Sequence, residues 1–366
     1  MKEYKYWSTG DIIRVFATLA VLFIHITQYS LRNSTSLDIA WWSLNIGQSL
    51  SIWAVPAFIM LSGALLLSPQ SFDETPIVFY KKRLFKIGIP LLFWGIVYFL
   101  LEQKWHLYSF EYMLNDLWHG NISDHLYFLF VILGLYIITP YLRLVIKKNT
   151  DNQAELLFII VLLLITCFSE SFNKIVGIWR WHGTLYWVPY LGYYLMGRYI
   201  VNYAIDKRKI FAALCILGLS SNILSRYLEM VFQSETIIFF YNNMYSSITV
   251  MSLSIGIFGL IAYLAKEISE SSHLVKVCRL LAPGTFGVYL VHVLIIREVE
   301  FSFHVQYPSN IIMASIYTGL LSTFSLLLVY LMGCVPLMRT IIGCHTQKIL
   351  EENKINIFKS KTNLFN

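Results

Sequence analysis

Apolar segments long enough to cross a lipid bilayer recur along most of this chain. Ten of them fall near residues 12–30, 45–67, 87–102, 125–145, 155–170, 185–203, 210–226, 242–265, 283–301 and 310–333. A helix needs about 20 apolar residues to cross about 30 Å of hydrocarbon. Because every backbone polar group must be bonded internally there, such segments form helices. The sequence therefore predicts an all-α, polytopic membrane protein with about ten transmembrane helices.

The charge distribution agrees with a membrane protein and predicts its orientation. Only 13% of the residues are charged, about half the usual share in soluble domains. The net charge of +7 comes from basic clusters between the apolar segments. Alternating loops place 22 Lys and Arg on one side and 6 on the other, which predicts an N-in, C-in topology. Basic residues do not alternate with aromatic ones as in single-strand binders, so nucleic acid is not an expected partner.

The first apolar segment looks like a retained helix, because it is long, carries ionisable residues and lacks a small-residue cleavage site. We expect one membrane domain over residues 1–343 and a polar cytoplasmic tail over 344–366. The five cysteines form no CxxC pair. Neither a metal site nor a disulfide framework is therefore indicated.

Two ionisable residues of the first segment share one face of the predicted helix. Arg14 and His25 are eleven residues apart, which is three turns plus about 20° and roughly 16 Å of rise. Such residues in hydrocarbon are costly and usually face a cavity or a partner. The structural alternative is that Arg14 reaches the interface and pairs with Asp11, while His25 is a satisfied polar residue. The alignment favours a reaction path that holds an anion at one end and moves a proton at depth.

Two further segments carry small or basic residues near helix ends. Ser62 and Gly63 allow either close helix packing or close approach of a ligand. Lys82, Arg83 and Lys86 precede the third apolar segment, where topology alone would explain basic residues. Arg83 and Lys86 are an i,i+3 pair, however, and share a helix face. That arrangement suits phosphate groups.

Histidine and tyrosine also occur together in the fourth and ninth segments. His125 and Tyr127 begin the fourth segment on the predicted outer side. An interfacial aromatic belt explains Tyr127, but it does not explain Asp124 beside His125. Tyr289 and His292 are three residues apart and therefore share a helix face. Core packing of satisfied polar groups is the alternative for that pair.

Taken together, these segments resemble the acyltransferase-3 family of membrane O-acyltransferases over residues 8–335. The family pattern D-x-x-R-x₁₀-H on the first helix is followed by P-x-F-x-x-S-G, a basic K-R-x-x-R/K-x-x-x-P, H-L-W/Y-F-L and S/T-F-G-x-Y-L-x-H. The matching positions are Asp11, Arg14 and His25, then Pro56, Phe58, Ser62 and Gly63, then Lys82, Arg83, Lys86 and Pro90, then His125 to Leu129, and Thr285 to His292. Tyr127 stands where tryptophan is common. Lys86 stands where arginine is common, and a lysine lacks the bidentate geometry of arginine.

The resemblance is to the compact branch that modifies surface polysaccharides, and it implies an enzyme of the bacterial plasma (inner) membrane. The implied reaction moves an acyl group, acetyl or another, from cytoplasmic acyl-coenzyme A to a hydroxyl of a surface glycan or its lipid-linked precursor. The resemblance implies catalytic roles for His25, Arg14 and Asp11, donor contacts from Arg14, Arg83, Lys86, Lys82, Ser62 and Gly63, and acceptor-side contacts from His125, Tyr127, Tyr289 and His292. His25 would act as a general base or as a covalent acyl carrier. No metal is implied, and a homo-oligomer is left open.

Two other classes of function fit parts of this pattern. A polysaccharide exporter, flippase or small-solute permease explains ten helices and intramembrane charge equally well. A membrane ligand-sensing module is the second alternative. The transporter class does not explain an aligned arginine and histidine beside a basic cytoplasmic loop, and neither class needs to bind an acyl-coenzyme A.

Overall fold

A computed structural model of the chain describes residues 2–34, 36–105, 123, 125–149, 151–176, 185–232, 245–303 and 305–344. All regular elements in these ranges are helical, which confirms the all-α prediction for the described residues. The α-helices are α1 Lys2–Arg32, α2 Ile39–Ser49, α3 Ala54–Leu66, α4 Pro76–Arg83, α5 Ile89–Trp105, α6 Tyr127–Lys148, α7 Asn152–Val176, α8 Leu191–Tyr199, α9 Arg208–Phe232, α10 Ile248–Glu267, α11 His273–Leu281, α12 Thr285–Phe303, α13 Ile311–Cys334 and α14 Pro336–Ile342.

Nine helical segments within the described ranges are long and apolar enough to cross a bilayer. The predicted segment at 185–203 differs, because it forms a short 3₁₀ turn Val188–Tyr190, then α8, then a π turn Ile200–Ala204. Residues 192–198 of α8 are all buried, and α8 packs mainly against α3 and α7. This segment is therefore enclosed by other helices. The chain is a multi-pass membrane protein, and its orientation and its tail beyond residue 344 stay predictions.

The first helix lies at the centre of the bundle. It packs against α2, α3, α10, α11, α12 and α13. Its apolar side chains Ile13, Ala17 and Leu22 are completely buried, as expected for a helix that is apolar on most sides. The helix is continuous, so Arg14 and His25 keep the spacing that the sequence predicts.

Capping residues set the starts of several helices. Asp38, Ser247, Ser272 and Asn310 precede α2, α10, α11 and α13, and each side chain accepts a hydrogen bond from a backbone amide in the first turn. These are the residue types that satisfy the free amides at a helix start. The left-handed Gly343, with φ of 63°, ends α14.

A π turn joins α4 to α5 and corrects one detail of the sequence prediction. Residues Leu84–Gly88 form this turn, and Pro90 follows it. Proline has no amide hydrogen to bond the carbonyl four residues earlier, which is that of Lys86. The helix accommodates this by widening for one turn. The spacing predicts that Arg83 and Lys86 form an i,i+3 pair on a regular α-helix. In the structure the α-helix ends at Arg83, and Lys86 lies within the π turn.

Helices α3 and α8 touch through their backbones. A Cβ atom on Gly63 would lie 1.7 Å from the carbonyl oxygen of Tyr194, and one on Gly197 would lie 1.9 Å from that of Met60. Small residues permit this close approach between membrane helices. The contact explains both glycines by packing alone.

Two buried arginines complete the C-terminal end of α3. The Nε atom of Arg143 donates to the carbonyl of Leu66 at 2.9 Å, and that of Arg198 donates to the carbonyl of Leu67 at 3.2 Å. These carbonyls lack partners within the helix, and a cation complements the partial negative charge there. Arg198 also pairs with the buried Glu155.

Candidate active site

Three histidines that are far apart in sequence lie side by side within the bundle. His25 belongs to α1, His125 lies just before α6, and His292 belongs to α12. The ring centroids of His25 and His292 are 5.0 Å apart, and those of His125 and His292 are 5.4 Å apart. His292 is 0% exposed and His125 is 3% exposed, whereas His25 is half-buried. We call these residues the histidine cluster.

Backbone contacts assign the hydrogen positions of His292. Its Nδ1 atom lies 2.7 Å from the carbonyl oxygen of Tyr289 and 3.2 Å from that of Val288. Carbonyls only accept hydrogen bonds, so Nδ1 carries the hydrogen, an assignment made from the bonding network. Nε2 of the neutral ring is then an acceptor. It is buried and has no hydrogen-bond partner among the described residues.

His125 is held differently from His292. Its Nδ1 atom lies 3.0 Å from the Ser123 hydroxyl, which can donate or accept. Its backbone carbonyl accepts a hydrogen bond from the Tyr289 hydroxyl. Its Nε2 atom is also buried without a partner in the described part of the chain. Buried polar atoms are normally bonded, so two such nitrogens beside His25 indicate a place where a polar ligand group binds.

Tyr98 of α5 supports the cluster, and sequence reasoning missed it. Its ring packs edge-on against His125 at a centroid distance of 4.7 Å. Its hydroxyl donates to the carbonyl of Leu290 at 2.8 Å and accepts from the amide of Leu294 at 3.1 Å. The side chain therefore ties α5 to α12 beside His292. Tyr98 is one of 24 tyrosines, and no local pattern distinguishes it.

Aromatic side chains of α12, α6 and α3 extend from the histidine cluster, and we call them the aromatic wall. Phe128 contacts Tyr289 at a centroid distance of 5.5 Å and Phe58 at 6.1 Å. The Tyr127 hydroxyl is buried and lies within electrostatic range of Tyr245 and Tyr289. Of the predicted acceptor-side residues, His292 contacts His25, whereas His125 and Tyr289 contact His292. Tyr127 lies within electrostatic range of Tyr289. Asp124, which stands beside His125 in the sequence, lies outside the described residues.

A cleft opens beyond His25 at the same end of α1. It is lined mainly by polar and aromatic residues, among them Ser30, Asp38, Trp41, Tyr307 and Ser309. Ser30 follows His25 by five residues, about 7.5 Å along the helix. Five helical steps also turn Ser30 about 140° around the helix from His25, so the cleft shares the His25 end of α1 but not the face on which His25 lies.

The other end of the Arg14–His25 face carries a group of cations. Arg14 donates to Asp11 at 2.9 Å, and both side chains are half-buried. Arg14 and Arg83 both lie within electrostatic range of Lys86. Lys86 is exposed, so this cation group is accessible. Like charges held together in this way favour binding of an anion.

Arg83 is held by aromatic rings. Its guanidinium carbon lies 5.3 Å from the ring centre of Phe79 and 5.7 Å from that of Tyr136. Its Nε atom is buried and unbonded among the described residues. An arginine stacked on aromatic rings keeps its planar donors oriented.

The other predicted donor contacts are occupied within the protein. Lys82 pairs with Glu74 at 2.9 Å, the Ser62 hydroxyl donates to the carbonyl of Phe58 at 2.9 Å, and Gly63 contacts the backbone of Tyr194. Their role in donor binding stays a prediction, and the structure gives each of them a packing or pairing role.

Glu74 lies outside the membrane-spanning segments and contacts one cation from each of two such segments. It contacts Lys82 and, at 3.5 Å, the buried Arg143. Partial burial acts to raise the pKa of the Glu74 carboxyl, but Lys82, Arg83 and Arg143 outweigh it and hold the pKa below its ordinary value. Sequence reasoning missed Arg143, although an arginine within a predicted span is itself a signal.

Among the residues that the structure describes, no group of three or more His, Cys, Asp or Glu side chains has the geometry to hold a metal ion. Comparison with known families adds the decisive information on class. The acyltransferase-3 family, described as an acyltransferase domain, matches residues 10–339. The chain therefore belongs to that family, and the predicted resemblance is confirmed. No curated protein and no solved structure matches the chain.

Proposed function

We propose that this membrane acyltransferase moves an acyl group, acetyl in the simplest case, from acyl-coenzyme A to a hydroxyl of a surface glycan or its lipid-linked precursor. It acts in the bacterial plasma membrane with both termini in the cytoplasm, which requires the enclosed helical segment at 188–204 to cross the bilayer as a tenth span beside the nine long helices of the described residues. One observation carries the proposal: a single continuous helix, α1, joins an accessible cation group at Arg14 to a buried histidine cluster at His25.

The cation group supports a phosphate-bearing donor. Arg14, Arg83 and Lys86 supply positive charge at one place, and Lys86 is accessible from outside the protein. Arginine forks bind phosphate oxygens in pairs, and lysine adds a point charge. The extended arm of the donor would follow α1 from these cations towards His25, about 16 Å away along the axis.

The histidine cluster supports the transfer step. His25 takes the proton from the acceptor hydroxyl as its oxygen bonds to the acyl carbon. The carbon–sulfur bond then breaks, and the thiolate that leaves receives the same proton from His25. No net proton is consumed, so one histidine suffices for both transfers.

The cleft beside Ser30, Asp38 and Tyr307 supports a hydroxyl-rich acceptor. It opens at the His25 end of α1, opposite the cation group. His125 packs against Tyr98 and Tyr289. Donor and acceptor would thus approach His25 from opposite ends of the helix.

Binding of radiolabelled acetyl-coenzyme A to the purified protein in lipid nanodiscs tests the proposal. We expect saturable binding that Arg14→Gln weakens and that His125→Ala leaves unchanged. We also expect His125→Ala to reduce transfer to the acceptor while sparing slow hydrolysis of the donor. A transporter or a ligand sensor needs no such binding, so its absence with acetyl- and succinyl-coenzyme A would contradict the proposal. Equal loss of donor binding in His125→Ala would place His125 on the donor path.

A further inference from the structure

We infer that His292 is the positioning residue of His25: its Nε2 atom accepts a hydrogen bond from one ring nitrogen of His25 and so leaves the lone pair of the other nitrogen for the reacting hydroxyl. This inference rests on the proposed function for its catalytic meaning. The pairing of the two rings is a property of the protein alone.

The local backbone prepares His292 for this role. In a regular helix a histidine side chain points back towards the preceding turn, and here its Nδ1 atom reaches the carbonyls of Tyr289 and Val288. Both contacts need a hydrogen on Nδ1. The neutral ring is then unable to carry a second hydrogen on Nε2. The helix itself therefore makes Nε2 a permanent acceptor.

The surroundings of His292 leave that acceptor in need of a donor. The side chain is 0% exposed, and Nε2 has no partner among the described residues. An unpaired polar atom in such a place destabilises the fold, because it has lost its bond to water and gained none in return. A group that donates to it is therefore favoured.

The distance to His25 suits a direct bond. The two ring centroids are 5.0 Å apart and the planes are inclined by 58°. A nitrogen lies about 1 Å from the centre of its ring, so two imidazoles joined by a hydrogen bond of about 2.9 Å have centroids roughly 5 Å apart. In this structure Nε2 of His292 has no partner among the described residues, and the two carbonyl contacts hold the His292 ring in place. The inference therefore requires the His25 ring to turn towards Nε2, and catalytic hydrogen bonds often tighten only when substrate is present.

His125 is the competing partner, since its ring centroid is 5.4 Å from that of His292. Its Nδ1 atom, however, already has the Ser123 hydroxyl at 3.0 Å. That hydroxyl can serve either form of the ring, so nothing forces His125 to present a hydrogen to His292. His25 is also the half-buried member of the cluster and the one aligned with the cation group.

Histidine ¹⁵N spectra of the full-length protein in nanodiscs test the pairing without donor or acceptor. The His292 signals are identified as those lost in His292→Gln. We expect Nδ1 to carry the hydrogen and Nε2 to be an unprotonated acceptor, with an Nε2 shift that changes in His25→Ala. The exposed His273 is the control, and its signals should not change in His25→Ala. A hydrogen on Nε2 of His292, or a shift that responds to His125→Ala and not to His25→Ala, would overturn the inference.

Turnover of three substitutions tests the role. Glutamine at 292 reaches the Nε2 position with an amide oxygen, asparagine is too short to do so, and leucine has no acceptor. We expect His292→Leu and His292→Asn to lower kcat by about 10–100-fold, as removal of a histidine-orienting partner does, with donor binding unchanged. We expect His292→Gln to restore much of the loss. Equal loss in all three variants would show that the acceptor atom is not the function of His292. If the wild type binds no acyl donor, the proposed function fails while the spectra still decide the pairing.

Discussion

The two ends of the Arg14–His25 face satisfy their polar groups in opposite ways. At the cation group, Arg14 pairs with Asp11 on the same helix, and the neighbouring Lys82 pairs with Glu74. These partners are near in sequence, although the Nε atom of Arg83 is also buried without a partner among the described residues. At the histidine cluster, His25, His125 and His292 come from distant segments, and two buried nitrogens have no partner in the described structure.

Under the proposed function, this difference would separate donor binding from acyl transfer. Half-exposed cations that keep local partners can hold a charged group and release it, because solvent screens their interactions. Buried histidines in an apolar wall make stronger interactions, because little water competes with them. We therefore expect substitutions at the histidine cluster to act on the rate, and substitutions at the cation group to act on donor affinity.

The largest expected effect would come from His25→Ala. Loss of a general base lowers the rate by roughly 10²–10⁴-fold, while donor binding should remain near that of the wild type. Initial rates of acyl transfer and equilibrium binding, measured on one nanodisc preparation, check both parts. Near-normal turnover in this variant would remove His25 from the mechanism and with it the contrast between the two ends.

The cation group gives the next largest effect. Arg14→Gln and Arg83→Gln should each weaken acyl-coenzyme A binding by about tenfold or more, since a charge-assisted contact contributes about 1.5–3 kcal/mol. Lys81→Gln is the matched control, because Lys81 is exposed in the same basic segment and is not a predicted donor contact. Binding titrations that give Arg14→Gln and Arg83→Gln the same affinity as the wild type would place the donor phosphates elsewhere.

Gly63→Ala sharpens the comparison by separating packing from binding. The added Cβ would meet the Tyr194 carbonyl at 1.7 Å, so we expect destabilisation of about 1–3 kcal/mol or more from overpacking. Gly319→Ala is the control, because nothing lies within 4 Å of the Cβ position there. Thermal unfolding in detergent compares the two. A Gly63→Ala protein that unfolds like the wild type but loses donor binding would instead support a ligand contact.

The smallest expected effect concerns Glu74 and pH. The pKa of Glu74 is held below its ordinary value of 4.5, so its ionised form stabilises the fold above that pH, and the contribution disappears as pH falls through the lowered value. Glu74→Gln should therefore lower the free energy of unfolding at pH 7 by at most about 1 kcal/mol. Thermal unfolding should show this as a lower unfolding temperature than that of the wild type. The difference should shrink at acidic pH. A difference that grows on acidification would contradict this assignment.

Much of the fold could be predicted from the sequence, because helices in a membrane follow from local composition. Nine of the ten predicted segments form helices of spanning length within the described ranges. The segment at 185–203 is helical as well, but it changes from a 3₁₀ turn to an α-helix and then to a π turn. Enclosure by other helices permits this irregular geometry, and the hydrophobic pattern alone does not show it. The π turn at Leu84–Gly88 had a local cause in Pro90, yet spacing alone treated the segment as regular.

The candidate site divides along the same line. The alignment of Arg14 with His25 follows from helical periodicity, which repeats over short distances and is written in the sequence. The meeting of His25 with His125 and His292, the support from Tyr98 and the Gly63–Tyr194 contact depend on which helices pack together. Only the tertiary structure decided these contacts, because packing joins residues through shape and buried area, and neither depends on their separation along the chain.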